Sequence, residues 1–196
     1  SSPSVMRAVT MFSFMAVGKA LNRGGSVYNA LAASALVLLL IDPSLLMSVG
    51  FQLSYLAVLG IVYIQPKLYA LFQARYMILD RIWAITCVSI AAQLATAPLA
   101  IFYFHQFPSY FLMTNLFIIP AAFLILMLGI FLLLLSSFSV VATGIGLVLS
   151  FIIDWANTLV NWVAALPYGQ LRDVYLSPFE TVLLYSLILM LILVFT

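Results

Sequence analysis

The chain has 196 residues, 66% of them hydrophobic and 6% charged, with 7 Lys and Arg, 5 Asp and Glu and a formal net charge of +2. A soluble domain carries roughly 25% charged residues, so this chain lacks the side chains that clothe a water-facing surface, whereas a bilayer asks for none. The composition excludes an ordinary soluble domain, and so small a positive charge makes no independent case for a nucleic-acid partner. The single Cys87 carries no disulfide information. Ser1 to Ser4 lack the basic, apolar and small-residue succession of a signal peptide, and the chain reads as a piece of a longer one.

A spanning helix takes about 20 apolar residues, fewer where protein shelters it. By that measure the apolar segments run from Val5 to Ala20, Val27 to Ile41, Met47 to Ile64, Ile82 to Tyr103, Tyr110 to Leu135, Val140 to Leu166 and Phe179 to Phe195. Between them lie "NRGGS", "DPS", an amphipathic connection "QPKLYALFQARYMILDR" (Gln65 to Arg81), "HQFPS", "SSFS" and "PYGQLRDVYLSP". Proline and glycine mark the breaks, because they end the helical hydrogen-bond ladder or weaken it. The expected fold is all-α: one polytopic transmembrane bundle of about seven spans over residues 1–196, some broken or kinked at Gly or Pro. Within the long connection, "KLYALFQARY" is expected to lie flat on the membrane surface, with Lys67 and Arg75 meeting anionic headgroups.

Basic residues accumulate in cytoplasmic loops. The first and third loops carry Lys19, Arg23, Lys67, Arg75 and Arg81, and the opposite side offers Arg172, with Arg7 counting weakly against the pattern. The N-terminus, Asp42 and "HQFPS" are therefore expected outside, and the first and third loops inside.

No G-x-S-x-G elbow, H-E-x-x-H or cluster of cysteines and histidines is present, so the reading is of a protein that is not an enzyme and calls for no metal or cofactor. His105, the only histidine, stands between Phe104 and Phe107 at a helix end and reads as interfacial packing. The aromatic run "FYFHQFPSYF", Phe102 to Phe111, reads as an interfacial belt rather than a stacking platform for bases.

Polar residues inside the spans are more informative. Asp154 falls mid-span in the sixth segment, where a carboxylate costs about 2.5 to 3.5 kcal/mol on insertion scales. Ala142, Gly146, Ser150 and Thr158 stand at four-residue spacing with it, and Asn157 and Asn161 flank the same face. Such a face serves either close helix packing or a water-lined route. Gln93, Thr96 and Ala100 make a narrow stripe interrupted by Pro98, and Asn115 with Pro120 repeats the pattern in the next span. Each is either a simple kink or a broken helix beside a pathway. In "GFQLSYLAVLG", Gly50 permits a break or a close backbone approach after Asp42-Pro43, and Gln52 and Ser54 then bond exposed backbone or line an outer vestibule.

Three stretches, "LAASALVLLLIDPSLLMSVGFQLSYLAVLGI", "AAQLATAPLAIFYFHQFP" and "TNLFIIPAAFLILMLGI", together resemble the membrane core of the ComEC family of bacterial DNA-uptake channels. The resemblance covers about Arg7 to Leu135. It implies passage of single-stranded DNA across the bacterial cytoplasmic membrane during natural transformation, with transient and weak DNA contact. It also implies work beside other DNA-uptake proteins and flanking OB-like and metallo-β-lactamase-like domains, which this sequence does not contain. The transport-path candidates are Gln52, Ser54, Gln93, Asn115, Ser150, Asp154 and Asn157, and the helix-break candidates are Pro43, Gly50, Pro98 and Pro120. A small-solute secondary transporter and a structural membrane scaffold remain alternative readings of the same residues. The oligomeric state is not legible.

Overall fold

A computed structural model of the chain describes residues 3–20, 26–72 and 75–194. Helix α1 spans Pro3–Ala20. Helix α2 spans Val27–Ile41 and starts at Ser26, whose Oγ accepts from the Tyr28 N–H at 3.3 Å. Asp42 ends it: Oδ1 accepts from the backbone N–H of Ser44 at 3.0 Å and from its hydroxyl at 2.7 Å. That turn opens a short 3₁₀ helix, Pro43–Met47. Pro43 stands where a helix has no use for an N–H. Ser48 then caps α3 (Val49–Ala70), its Oγ accepting from Phe51 N–H at 3.2 Å, a bond that satisfies one of the orphan donors of a first turn.

Helix α4 spans Met77–Phe104, α5 Phe111–Leu134, α6 Ser139–Ala164 and α7 Pro178–Val194. The start of α7 is a capping box: Ser177 N–H donates to Glu180 Oε2 at 2.7 Å, and Glu180 N–H donates to Ser177 Oγ at 3.2 Å. Two three-residue strands, β1 (Gln106–Pro108) and β2 (Gln170–Arg172), pair antiparallel with Gln106 opposite Arg172 and Pro108 opposite Gln170. The fold is thus all-α apart from this ribbon. Helices α3, α4, α5 and α6 are long and apolar enough to cross a bilayer, while α1, α2 and α7 are apolar but shorter. The chain is a membrane protein.

The stretch "KLYALFQARY", Lys67 to Tyr76, differs in its described residues from the expectation of a separate surface helix. Helix α3 continues through Pro66 to Ala70, and α4 already begins at Met77. Pro66 removes one N–H near the helix end, where little ladder remains to be lost. Lys67 lies in the last turn, where a cation suits the helix dipole, and its ammonium sits 4.0 Å from the centre of the Tyr63 ring one turn back. Arg23 and part of the first loop lie outside the described residues.

The described chain divides into two compact units. The first gathers residues up to Leu71, the second half of α4 and α7. Its core is Met11, Leu31, Leu38, Phe51 and Tyr55, drawn from α1, α2 and α3. Leu31, Ser34 and Leu38 share the buried face of α2, and Ser34 Oγ lies 3.0 Å from the Tyr55 hydroxyl. Phe51 and Tyr55 stack with their centroids 4.4 Å apart. The second unit holds the first half of α4, the ribbon, and the α5–α6 pair, which pack along each other.

Candidate functional site

In the first unit the polar residues converge on the break between α2 and α3. Gln52 reaches back from the first turn of α3, its Nε2 donating to Leu46 O in the 3₁₀ helix at 2.9 Å, while the Tyr103 hydroxyl donates to its Oε1 at 3.1 Å. A backbone carbonyl freed by the break, the second helical segment and the end of α4 are thus joined through one amide. Ser54 turns inward on its own helix, donating to Gly50 O at 2.6 Å.

Gly50 has a different neighbour. A Cβ placed on it would stand 3.1 Å from Nη2 of Arg7 and 3.6 Å from Cζ, so the absence of a side chain gives the guanidinium its room. Arg7 is 7% exposed and Met11, one turn on, is 6% exposed. Arg7, which lies in the first apolar segment and counts weakly against the charge pattern, is a buried cation of α1, packed against the α2–α3 break. Spacing held the one available signal, because Arg7 and Met11 share a face at i and i+4.

Gln93 and Thr96 are half-buried on α4, and Thr96 Oγ1 donates to Ala92 O of its own helix at 2.8 Å. Pro98 lies inside α4 and Pro120 inside α5, and both helices continue through them. Proline at 98 deprives Leu94 O of its helical donor, and its ring crowds that same carbonyl. Tyr185 of α7 donates its hydroxyl to the following carbonyl, Ala95 O, at 3.0 Å. Beside it Gly60 allows α3 to approach: an added Cβ would collide with Ala95 Cβ and stand 2.8 Å from Ala91 O. Asn115 is half-buried on α5, in the second unit.

Helix α6 carries the remaining candidates on one face. Ser150, Asp154, Asn157, Thr158 and Asn161 are all exposed, and they fall within about 60° of Asp154 at 100° per residue. The opposite face holds Ile145, Ile152 and Val163, half-buried or buried. Trp155 meets Phe117 of α5 edge-on with centroids 6.4 Å apart, which sets the rotation of α6. Thr158 Oγ1 donates to Asp154 O at 2.7 Å and Ser150 Oγ to Leu147 O at 2.9 Å, so these hydroxyls satisfy their own helix. Close packing would bring a neighbour onto the glycines of α6. Among the described residues nothing lies within 4 Å of a Cβ added at Gly144 or Gly146.

At the other ends of α5 and α6 the ribbon is fastened by Tyr110 OH donating to Pro167 O and Ser109 N–H to Gly169 O, each at 3.2 Å. His105 and Asp173 flank the ladder at opposing positions with φ of 55° and 62°, a left-handed conformation that His and Asp adopt more readily than most residues.

A family described as "Competence protein" matches residues 1–196. ComE operon protein 3 of Bacillus subtilis (strain 168) is 28% identical over 167 residues, covering 83% of this chain and 20% of that protein. The chain therefore spans about a fifth of the length of this curated relative. No solved structure matches. With the family's pattern running along its whole length, the chain belongs to the competence protein family, of the ComEC type.

Proposed function

We propose that the chain is a membrane core through which single-stranded DNA passes the bacterial cytoplasmic membrane during natural transformation, without a catalytic step of its own. The supporting observation is the α6 face: in a helix long enough to span, a carboxylate, two amides and two hydroxyls stay exposed on one side. Lipid against that face would leave the cost of Asp154 uncompensated, and water removes it. The family membership supplies the cargo class. On this reading the N-terminus lies outside, and flanking domains and other DNA-uptake proteins deliver and receive the strand.

The same face explains why passage need not become binding. In water a carboxylate and a phosphate 4 Å apart repel by about 1 kcal/mol, a small barrier that still discourages the strand from lodging. Amide and hydroxyl groups exchange hydrogen bonds with water or base edges at little net gain. A conduit benefits from such indifference, because entry and exit must both be easy.

The test is cysteine accessibility in a Cys87→Ser background. Cysteines at Ser150, Asp154 and Asn157 should react with small water-soluble thiol reagents, since the thiolate needs water, and one at Ile152, half-buried on the opposite face, should not. Incoming DNA should slow labelling at the first three. Inertness at all four would sink the wet-face reading, and labelling indifferent to DNA but slowed by a small solute would favour a solute transporter.

A further inference from the structure

We propose that the groove between α3, α4 and α7 binds one acyl chain of an anionic phospholipid, with Lys67 at its end holding the headgroup. The site stands apart from the transport reading and lies wholly within the first unit.

Two cavities make the groove. The larger, about 390 Å³, is lined by α3 from Leu56 to Ile64, by Leu94 and Ala95 of α4, and by Tyr185 and Ile188 of α7. The smaller, about 230 Å³, is lined by Ile64, Lys67, Leu68 and Leu71 together with Leu94 and Ile192. They share Ile64, Leu94 and Ile192, so one runs into the other. Volumes of this order suit a small-molecule site, roughly 300 to 1,000 Å³.

The shape follows from the sequence. Leu56, Leu59, Gly60, Tyr63, Ile64, Lys67, Leu68 and Leu71 recur at three and four residues, so a single face of α3 floors the whole groove. At about 1.5 Å per residue that face is about 22 Å long, enough to reach through one leaflet's share, roughly 15 Å, of the hydrocarbon core. One level is pinned, where Gly60 lets α3 meet Ala91 and Ala95 and where Tyr185 bonds Ala95 O. From there the groove runs to Lys67.

The chemistry of the lining selects the occupant. Almost every group is aliphatic or aromatic, which suits a hydrocarbon chain and offers the successive phosphates of a nucleic-acid strand one cation among the described residues. Among the described lining residues one cation, Lys67, stands at one end, with the Tyr63 ring 4.0 Å from its ammonium. An apolar channel closed by one ammonium matches an acyl chain closed by one phosphate. Lys67 belongs to the last turn of α3, where a long basic side chain extends toward the headgroup layer.

The experiment uses the protein reconstituted with equal phosphatidylglycerol and phosphatidylethanolamine, each carrying a photoreactive acyl chain, followed by peptide mapping and by native mass spectrometry of retained lipid. Wild-type protein should retain phosphatidylglycerol at least about threefold over phosphatidylethanolamine, with adducts concentrated on α3 and α7 peptides around Leu68 and Ile192. Lys67→Gln should erase the headgroup preference while adducts persist. Leu94→Trp and, independently, Ile192→Trp should remove the adducts by filling the groove, and either one that folds suffices. Adducts spread evenly over α5 and α6 would mean only the general lipid annulus and would overturn the proposal. So would equal retention of both lipids by wild-type protein, groove-filling variants that keep the adducts, or a second copy of the chain crosslinked in the groove instead.

Discussion

The hydroxyl of Tyr103 donates to Gln52 Oε1 at 3.1 Å while Nε2 of the same amide donates to Leu46 O at 2.9 Å. One side chain thereby stabilises an interrupted backbone and ties it to the end of α4. Its two bonds are separable by mutation.

Gln52→Leu should therefore cost more than Tyr103→Phe, because it also strips Leu46 O of its donor. Interhelical hydrogen bonds of membrane proteins average about 0.6 kcal/mol and reach about 1.7, so a double-mutant cycle on unfolding in detergent should give a coupling in that range. Leu53→Ile serves as the neutral neighbour. A coupling of zero would mean that the two residues merely lie side by side.

Gly60→Ala should destabilise by roughly 1 to 3 kcal/mol, the usual range for overpacking, since its methyl would collide with Ala95 Cβ and crowd Ala91 O. Adding Ala95→Gly removes the first collision and should recover part of the loss. Gly129→Ala, with open space around the new methyl, should be neutral or mildly stabilising. Thermal unfolding of the four proteins decides the matter.

Asp154→Leu separates folding from transport. On a water-covered face the carboxylate bonds no neighbouring helix and carries no uncompensated cost, so membrane yield should hold while transformation frequency falls. Asp154→Asn should be mild in both. A drop in folded Asp154→Leu protein would instead identify an interhelical partner for the carboxylate.

Orientation can be read with an impermeant thiol reagent in the Cys87→Ser background. A cysteine at Ser109 should be labelled from outside and one at Arg75 only after the membrane is permeabilised. The reverse pattern would turn the protein over.

Hydropathy places α1, α2, α5, α6 and α7 to within two residues at either end, because bilayer length and apolar composition leave little freedom, and misses the end of α3 and the start of α4 by six and five. It overread Pro66 and placed a boundary where the helix continues, since near a helix end one missing N–H costs little. The one-sided character of α6 was visible in the spacing of Ser150, Asp154, Asn157 and Asn161. Which way that face points was not, because it depends on Trp155 meeting Phe117 across α5. The burial of Arg7 is not legible for the same reason: a buried cation is specified by what covers it, and Gly50 lies far along the chain. Strands of three residues are too short for an alternating pattern, so the aromatic run concealed β1.

The ribbon has a consequence for biogenesis. Gln106 and Arg172 are opposite one another, yet α5 and α6 intervene, so the ladder cannot close until both helices have been threaded and turned back. Closing a loop costs only about 0.6 kcal/mol more for each doubling of its length, so distance is no obstacle once the ends are on the same side. A hairpin left half-inserted would strand β1 and β2 on opposite sides of the membrane. Zipping of these few residues thus registers that the α5–α6 hairpin has been delivered whole, and a protease that cuts only the unpaired segments would time that event.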